Sequence, residues 1–446
     1  MTIQLTASSL PPVTHRRVLG LALPMALANL TQPLLAAVDT AMAGHLPQLA
    51  ALGGVALGGV FFNFVLWGFG FLRMGTTGLV AQAHGAGDAL ALRDAVVRAL
   101  LLALGLGVLV IALRGPLLAL ALHLLGGSAA VQDAARAYVH TRIWSAPMAL
   151  ANYVVLGYLI GVQRVRLALA LQLLINLANV AAVFALVRGS GLGVAGIGAA
   201  TAIADALGCV SGLMLLWQQR PHGVAPALRP ALWRDGAAWR RLAALNRDLF
   251  LRTMLLLGAF GWFAHAGAKA GEITLAANAL LLNFQTFMAY GLDGLAHAVE
   301  ALTGEAIGVR DRSRLVVAIR LSVLWALVLA LIFSAVYALA GADIIDLLTD
   351  QAAVRAMTLR YLPWAVLTPV ISVWGFMLDG VFIGATRTHT LMRCMAICVA
   401  ALALGMLTLP PLWGNHGVWL ALMLFMALRG VTLATQLPRL LRTLRQ

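Results

Sequence analysis

Charge is scarce in this 446-residue chain: Asp, Glu, Lys and Arg together make up 11% of it, against 62% hydrophobic residues and a mean hydropathy of +0.92. That shortage excludes a soluble globular protein, whose apolar share is about 45–50%. Lysine is almost missing, since Lys269 is the one lysine among 31 basic residues. Cysteine is limited to Cys209, Cys394 and Cys398, all within apolar stretches. An odd count without paired His/Cys spacing supports neither a disulfide framework nor a metal site, and leaves them as packing residues. No Gly-x-x-x-x-Gly-Lys-Ser/Thr pattern is present, which argues against ATP-driven pumping by this chain. The ten His are scattered, with no His-x-x-x-His or Gly-x-Ser-x-Gly arrangement, so an integral-membrane enzyme is not expected. Nor does the formal charge of +15 imply nucleic acid, because no basic run interleaved with aromatics forms a stacking surface.

Long apolar runs dominate what is there. A membrane helix uses about 20 residues, and an open sheet could not satisfy its backbone in lipid, so an all-α polytopic membrane protein follows. Hydropathy places twelve transmembrane helices at 18–43, 53–81, 95–113, 137–161, 165–187, 193–217, 249–268, 273–301, 315–339, 356–384, 388–411 and 416–437. The polar start, Met1 to Thr14, leads through His15, Arg16 and Arg17 into an apolar run without a small-residue cleavage pattern, which reads as a first span rather than a removed signal peptide. With the N-terminus cytoplasmic, 21 Arg fall on the inner side and five basic residues outside. This bias places both termini in the cytoplasm. Richness in Ala, Leu, Gly and Arg suggests a GC-rich bacterial genome and hence a bacterial inner membrane.

The chain divides near its midpoint. Residues 218–247 hold Pro221, Pro226, Pro230 and six Arg, and read as a cytoplasmic linker between an N-lobe at 1–217 and a C-lobe at 248–446. Two segment pairs match at one offset: Gly157 to Arg164 (GYLIGVQR) with Gly380 to Arg387 (GVFIGATR), and Gln82 to Gly85 (QAHG) with Glu305 to Gly308 (EAIG), each 223 residues apart. A shared offset of half the chain indicates a duplicated six-helix unit. Six is even, so the copies are expected to be parallel repeats about an axis along the membrane normal.

In so apolar a chain an ionisable group inside a span is the informative event, because it costs at least a few kcal/mol unless it faces a cavity or a partner. Asp39 lies about 30 Å along the first helix, counted from Leu19. It is either a helix-end residue meeting outside water or a carboxylate that exchanges a proton. Pro24 and Pro33 in the same helix each remove a backbone hydrogen bond and give it points at which to bend. Asn176 and Asn179 lie in the fifth span, with Thr201 and Asp205 one turn apart in the sixth. These form either a functional polar network or interhelical hydrogen bonds. Asp293, His297 and Glu300 recur at helical spacing in the second half, with Asp379 in the tenth span; they bind cations or form structural pairs with Arg252. Arg73, Arg142 and Arg252 are expected to snorkel or to meet a carboxylate.

Four stretches, taken together, resemble a known family. They are Val38 to Leu46 (VDTAMAGHL), Asn246 to Thr253 (NRDLFLRT), Leu292 to Gly308 (LDGLAHAVEALTGEAIG) and Leu378 to Arg387 (LDGVFIGATR). They are similar, in order and over essentially the whole chain, to motifs of the multidrug and toxic compound extrusion (MATE) transporters, and of their DinF subfamily in particular. The resemblance implies two six-helix lobes around a cleft and export of organic cations or other amphiphiles in exchange for H⁺ or Na⁺. By resemblance, Asp39 is the coupling carboxylate, Pro24 the bending point, and Asn179 and Thr201 members of the N-lobe polar cluster, with Tyr138 and Asn152 placed on the fourth helix. Where many relatives carry a second acid this chain has Val183. Coupling therefore rests on Asp39, assisted by Asp205, and favours H⁺. Asn176, Asp293, Glu300 and Asp379 stand as cleft residues or a second cation site. The alternative is a flippase for lipids or lipid-linked precursors, which needs inward-facing Arg to meet phosphate. The expected partners are small amphiphilic or cationic substrates and membrane lipids, with no cofactor, no metal and no nucleic acid, and the expected state is a monomer.

Overall fold

The computed structural model describes residues 10–219 and 230–444, so the expected linker residues Arg220, Pro221, Pro226 and Arg229, and Arg445, lie outside the described residues. The described chain is all-α, with no strand. Its helices are α1 (His15–Gly44), α2 (Ala50–Gly68), α3 (Phe71–Gly85), α4 (Ala89–Ala112), α5 (Arg114–Leu125), α6 (Ala129–Arg142), α7 (Ala146–Gly161), α8 (Val165–Phe184), α9 (Gly193–Gln218) and α10 (Pro230–Arg234). There follow α11 (Gly236–Lys269), α12 (Glu272–Gly308), α13 (Arg312–Leu348), α14 (Ala352–Gly384), α15 (Thr388–Thr408), α16 (Pro410–Trp413) and α17 (Asn415–Arg442).

Among the described residues, eleven segments are long and apolar enough to cross a membrane, three of them composite: α2 continues into α3, α6 passes through a 3₁₀ turn at Ile143–Ser145 into α7, and α8 runs on into a π-helical turn at Ala185–Gly189. The twelfth long helix, α12, has 37 residues and carries four of the chain's few acids, Glu272, Asp293, Glu300 and Glu305. Hydropathy stops at a charge while helix-forming residues continue, so several helices outrun their expected spans. Residues 236–247, expected as linker, open α11, and α13 continues past 339 to Leu348. The short α5, 12 residues long, was not foreseen and is too short to span.

Two compact units divide the chain. One gathers residues up to 29, 85–87 and 243–446, and the other holds 30–84 and 88–242. The first helix is thus shared, its opening half belonging with the C-terminal helices. Small residues make that possible, because a Cβ at Gly294 of α12 would run into the Ala22 carbonyl and Ala26 of α1. Asn29 Nδ2 also donates to the Tyr290 carbonyl at 3.4 Å. In the other unit, Met42 and Ala43 of α1 join Phe62, Tyr138, Val183, Ile197 and Ala200 in one apolar cluster.

Each unit repeats the same local design at the 223-residue offset. Asp88 caps α4 through the amides of Leu90 and Ala91, and Asp311 caps α13 through the amide of Arg314. The residue before each cap, Gly87 and Arg310, has positive φ, as do Gln163 and Thr386. At all four turns the next amide reaches back five residues, Asp88 to Ala83, Arg164 to Leu159, Asp311 to Ala306 and Arg387 to Phe382. These are Schellman endings, which glycine usually serves. Packing repeats too: a Cβ at Gly157 would stand 2.6 Å from the Arg73 carbonyl oxygen, and one at Gly380 2.6 Å from that of Ala296.

Candidate functional site

Within the unit formed by residues 30–84 and 88–242, the polar candidates gather from five helices. Asp39 comes from α1, Tyr138 and Arg142 from α6, Asn152 from α7, and Thr201 and Asp205 from α9. Arg142 donates to the Tyr138 hydroxyl at 2.6 Å and lies over the Phe62 ring at 4.3 Å. Its charge acts on both Asp39 and Asp205. The Ser145 hydroxyl oxygen, at the end of the 3₁₀ turn, lies 2.9 Å from the Arg142 carbonyl oxygen and 2.8 Å from Asp205 Oδ2, two acceptors for its one proton. Asn152 Nδ2 donates to the Asp205 carbonyl at 3.0 Å. From α8, Asn179 Nδ2 reaches the Thr201 hydroxyl at 2.9 Å.

Three acceptor oxygens here are buried and have no hydrogen-bond donor among the described residues: Asp39 Oδ1, Asn152 Oδ1 and Asn179 Oδ1. Such groups ordinarily find partners, and each deserves a chemical explanation. The place of the absent second acid, Val183, is fully buried in the apolar cluster and supplies no ligand. Asn176 points elsewhere, donating to the Thr31 hydroxyl at 2.6 Å and accepting from Gln172 at 3.2 Å.

The unit containing the C-terminal helices carries a different constellation. Asp379 of α14 receives both Arg252 of α11 and Arg429 of α17 on Oδ2, the latter at 2.7 Å. All three residues are buried. Arg429 is flanked by the Phe376 and Phe425 rings. His297 and Glu300 are buried on α12 and Asp293 is half-buried, and α14 packs across this stretch, since a Cβ at Gly384 would collide with the Glu300 carbonyl. Farther along α12, Glu305 is gripped by Arg17 at 2.6 Å and Arg314 at 2.8 Å. Arg17 donates to the Pro11 carbonyl at 2.6 Å, as does Arg314. Pro24 lies in the half of α1 within this unit, and α1 is helical through Pro24 and Pro33. Among the described residues no group of three His, Cys, Asp or Glu could hold a metal ion.

Sequence reading missed Arg429, Ser145 and the Glu305 grip. Arg429 had a visible signal, an arginine inside the apolar run Val418 to Val431. Ser145 had none, because a single serine near a helix end is ordinary.

A duplicated bundle of long apolar helices with buried charges is the architecture of a membrane transporter. The chain belongs to the MatE family, whose pattern matches residues 24–187 and 257–407. It is 46% identical over 415 residues to DNA damage-inducible protein F of Escherichia coli K12, covering 93% of this chain and 90% of that one. It is also 26% identical over 444 residues to a probable multidrug resistance protein NorM of Chromobacterium violaceum, covering 95% and 93%. The fold matches a MOP superfamily transporter from Pyrococcus furiosus Vc1 with a TM-score of 0.87 at 18% identity, covering 97% of each chain. A multidrug resistance MATE family transporter in an outward-facing conformation gives 0.85 at 20% identity, covering 97% and 96%.

Proposed function

We propose that this chain exports organic cations and amphiphilic compounds across a bacterial inner membrane in exchange for H⁺, with both termini cytoplasmic and Asp39 as the coupling carboxylate. The observation that carries this reading is the buried Asp39 Oδ1 without a donor, accompanied by the free acceptor oxygens of Asn152 and Asn179. A set of acceptors lacking donors suits a ligand that brings them, either a proton on Asp39 or the polarised hydrogens of an organic cation. Proton and substrate then compete for one negative charge. Protonation from outside neutralises Asp39 and releases the cation; deprotonation inside restores affinity. The difference in affinity between the two protonation states is what drives the cycle. Pro24 and Pro33 give α1 the points at which that change is absorbed.

A hard cation such as Na⁺ prefers several oxygen ligands, and buried Val183 offers none. In the other unit Asp379 is already engaged by Arg252 and Arg429, which favours a structural charge group there over a second cation site. The same engagement weighs against a flippase, which needs arginines available to phosphate.

Ethidium efflux by wild type and Asp39→Asn in a pump-deficient bacterium tests the reading. Wild-type efflux is expected to follow the pH gradient with or without Na⁺, and the variant to be inactive. Full activity of Asp39→Asn would overturn the assignment.

A further inference from the structure

We propose that the cleft between the start of α5 and the end of α6 binds one anionic phospholipid, with its phosphate at Arg114 and His140. The cleft lies wholly within the unit formed by residues 30–84 and 88–242, and nothing in it depends on the role of Asp39. Its volume is about 400 Å³, within the range of small-molecule sites. Arg114, Pro116 and Leu118 line it from α5, and Val139, His140 and Ile143 from α6 and the turn that follows. Leu118, Val139 and Ile143 are buried and make an apolar floor, and no carboxylate lines the cleft.

Depth in the membrane selects a lipid as the occupant. Hydropathy closes the third span at 113 and opens the fourth at 137, so Arg114 and His140 stand at the same membrane face. The 24 residues of α4 make it about 36 Å long against roughly 30 Å of hydrocarbon, which sets Arg114 at the level of the headgroups. Trp144 beside it is exposed, as a tryptophan at a membrane–water interface is. Leu113, Leu120 and Leu124 are exposed as well, and in a membrane transporter acyl chains cover such leucines.

Arg114 is held in place without being neutralised. Its Nη1 donates to the Ile111 carbonyl at 3.2 Å, and its guanidinium lies over the Trp144 ring at 5.4 Å. Neither contact brings an anion, whereas Arg136, one turn before His140, is paired with Asp133 at 2.9 Å. The remaining N–H groups of Arg114 suit phosphate oxygens, which guanidinium groups bind with charge-assisted hydrogen bonds. The exposed His140 ring adds an N–H donor whether neutral or protonated. A phosphodiester carries one negative charge, matched to one guanidinium. A zwitterionic headgroup would also bring its own cation up to Arg114 and lose part of that attraction. Because His140 follows Tyr138 by two residues, an occupied cleft braces the helix that carries Tyr138 and Arg142.

Native mass spectrometry of the full-length protein in detergent tests the site, with phosphatidylglycerol, phosphatidylcholine or inorganic phosphate added. Wild type is expected to retain one phosphatidylglycerol about tenfold better than phosphatidylcholine, and inorganic phosphate is expected not to displace it. Arg114→Gln should abolish that preference, and His140→Gln, at an exposed position where folding is not at stake, should reduce it about threefold. Arg188→Gln is the control, since that exposed guanidinium also lies over an aromatic ring, Phe184 at 5.7 Å, but outside the cleft; it should keep the preference. A preference unchanged in both Arg114→Gln and His140→Gln, or lost equally in Arg188→Gln, would overturn the site. Displacement by inorganic phosphate would overturn the lipid as its occupant.

Discussion

Asn278 of α12 and Asn415 of α17 hold each other by a reciprocal amide pair, Asn278 Nδ2 to Asn415 Oδ1 at 2.8 Å and Asn415 Nδ2 to Asn278 Oδ1 at 2.9 Å. The Trp419 indole donates to the same Asn278 oxygen at 2.9 Å. Both amides are buried, so the pair joins two helices where no water competes. Asn278→Ala strands the Asn415 amide and the Trp419 N–H together. Each buried unsatisfied group costs about 1–3 kcal/mol, so a clear loss of thermal stability in detergent is expected. A double-mutant cycle with Asn415→Ala should give a coupling energy of about 0.5–3 kcal/mol, and additivity would count against the pair.

The Glu305 grip should rank its members by burial. The Glu305 side chain is 1% exposed, that of Arg314 8% and that of Arg17 14%. Removing Glu305 takes the shared carboxylate from two guanidinium groups, a loss of about 3–5 kcal/mol for a broken buried pair. Glu305→Ala is therefore expected to lower the unfolding temperature most, Arg314→Ala less and Arg17→Ala least, read by thermal denaturation of the purified proteins. The reverse order would show that the grip is not held from Glu305.

Paired glycines at the 223-residue offset should fail alike. Gly157→Ala and Gly380→Ala each drive a methyl group against a neighbouring backbone carbonyl and are expected to cost about 1–3 kcal/mol as overpacking. Gly105 and Gly258, within α4 and α11, have open space around an added Cβ. Ala there should be neutral or stabilising by up to about 1 kcal/mol. Equal destabilisation at all four positions would remove close packing as the explanation.

Asp311 gives a pH dependence of known sign. It lies between α12 and α13, where the Arg314 amide, together with Ser313, holds its carboxyl below the usual carboxylate value of 3.8. A carboxyl depressed in the folded state contributes stability that is complete above its unfolded value and lost as pH falls through the folded one. The stability gap between wild type and Asp311→Ala should thus be full at neutral pH, about 0.5–2 kcal/mol for a lost cap, and close below about pH 4. A gap that widened in acid would contradict the capping role.

The spans, the duplication and the isolated Asp39 were legible because each is a local pattern: apolar runs, a fixed offset, a charge among alanines. Helix ends beyond the hydrocarbon were not, since Gly236 to Arg247 reads as polar linker by hydropathy yet continues a helix. The division of α1 between two units was also hidden, because the contact of Ala22 and Ala26 with Gly294 joins small residues far apart in sequence. The candidate residues were visible one at a time, but their grouping was not. That Ser145 bridges Arg142 and Asp205, or that Asp379 meets Arg429 as well as Arg252, depends on which helices pack together.

The sharing of α1 also sets an order of assembly. Arg17 is made 288 residues before the carboxylate that receives it. At roughly 5–20 residues per second, synthesis leaves the opening half of α1 without its final neighbours for about 15–60 s. The opening half of α1 is thus among the last parts of the chain to find its place, and until α12 and α13 arrive, lipid must stand in for protein along that half.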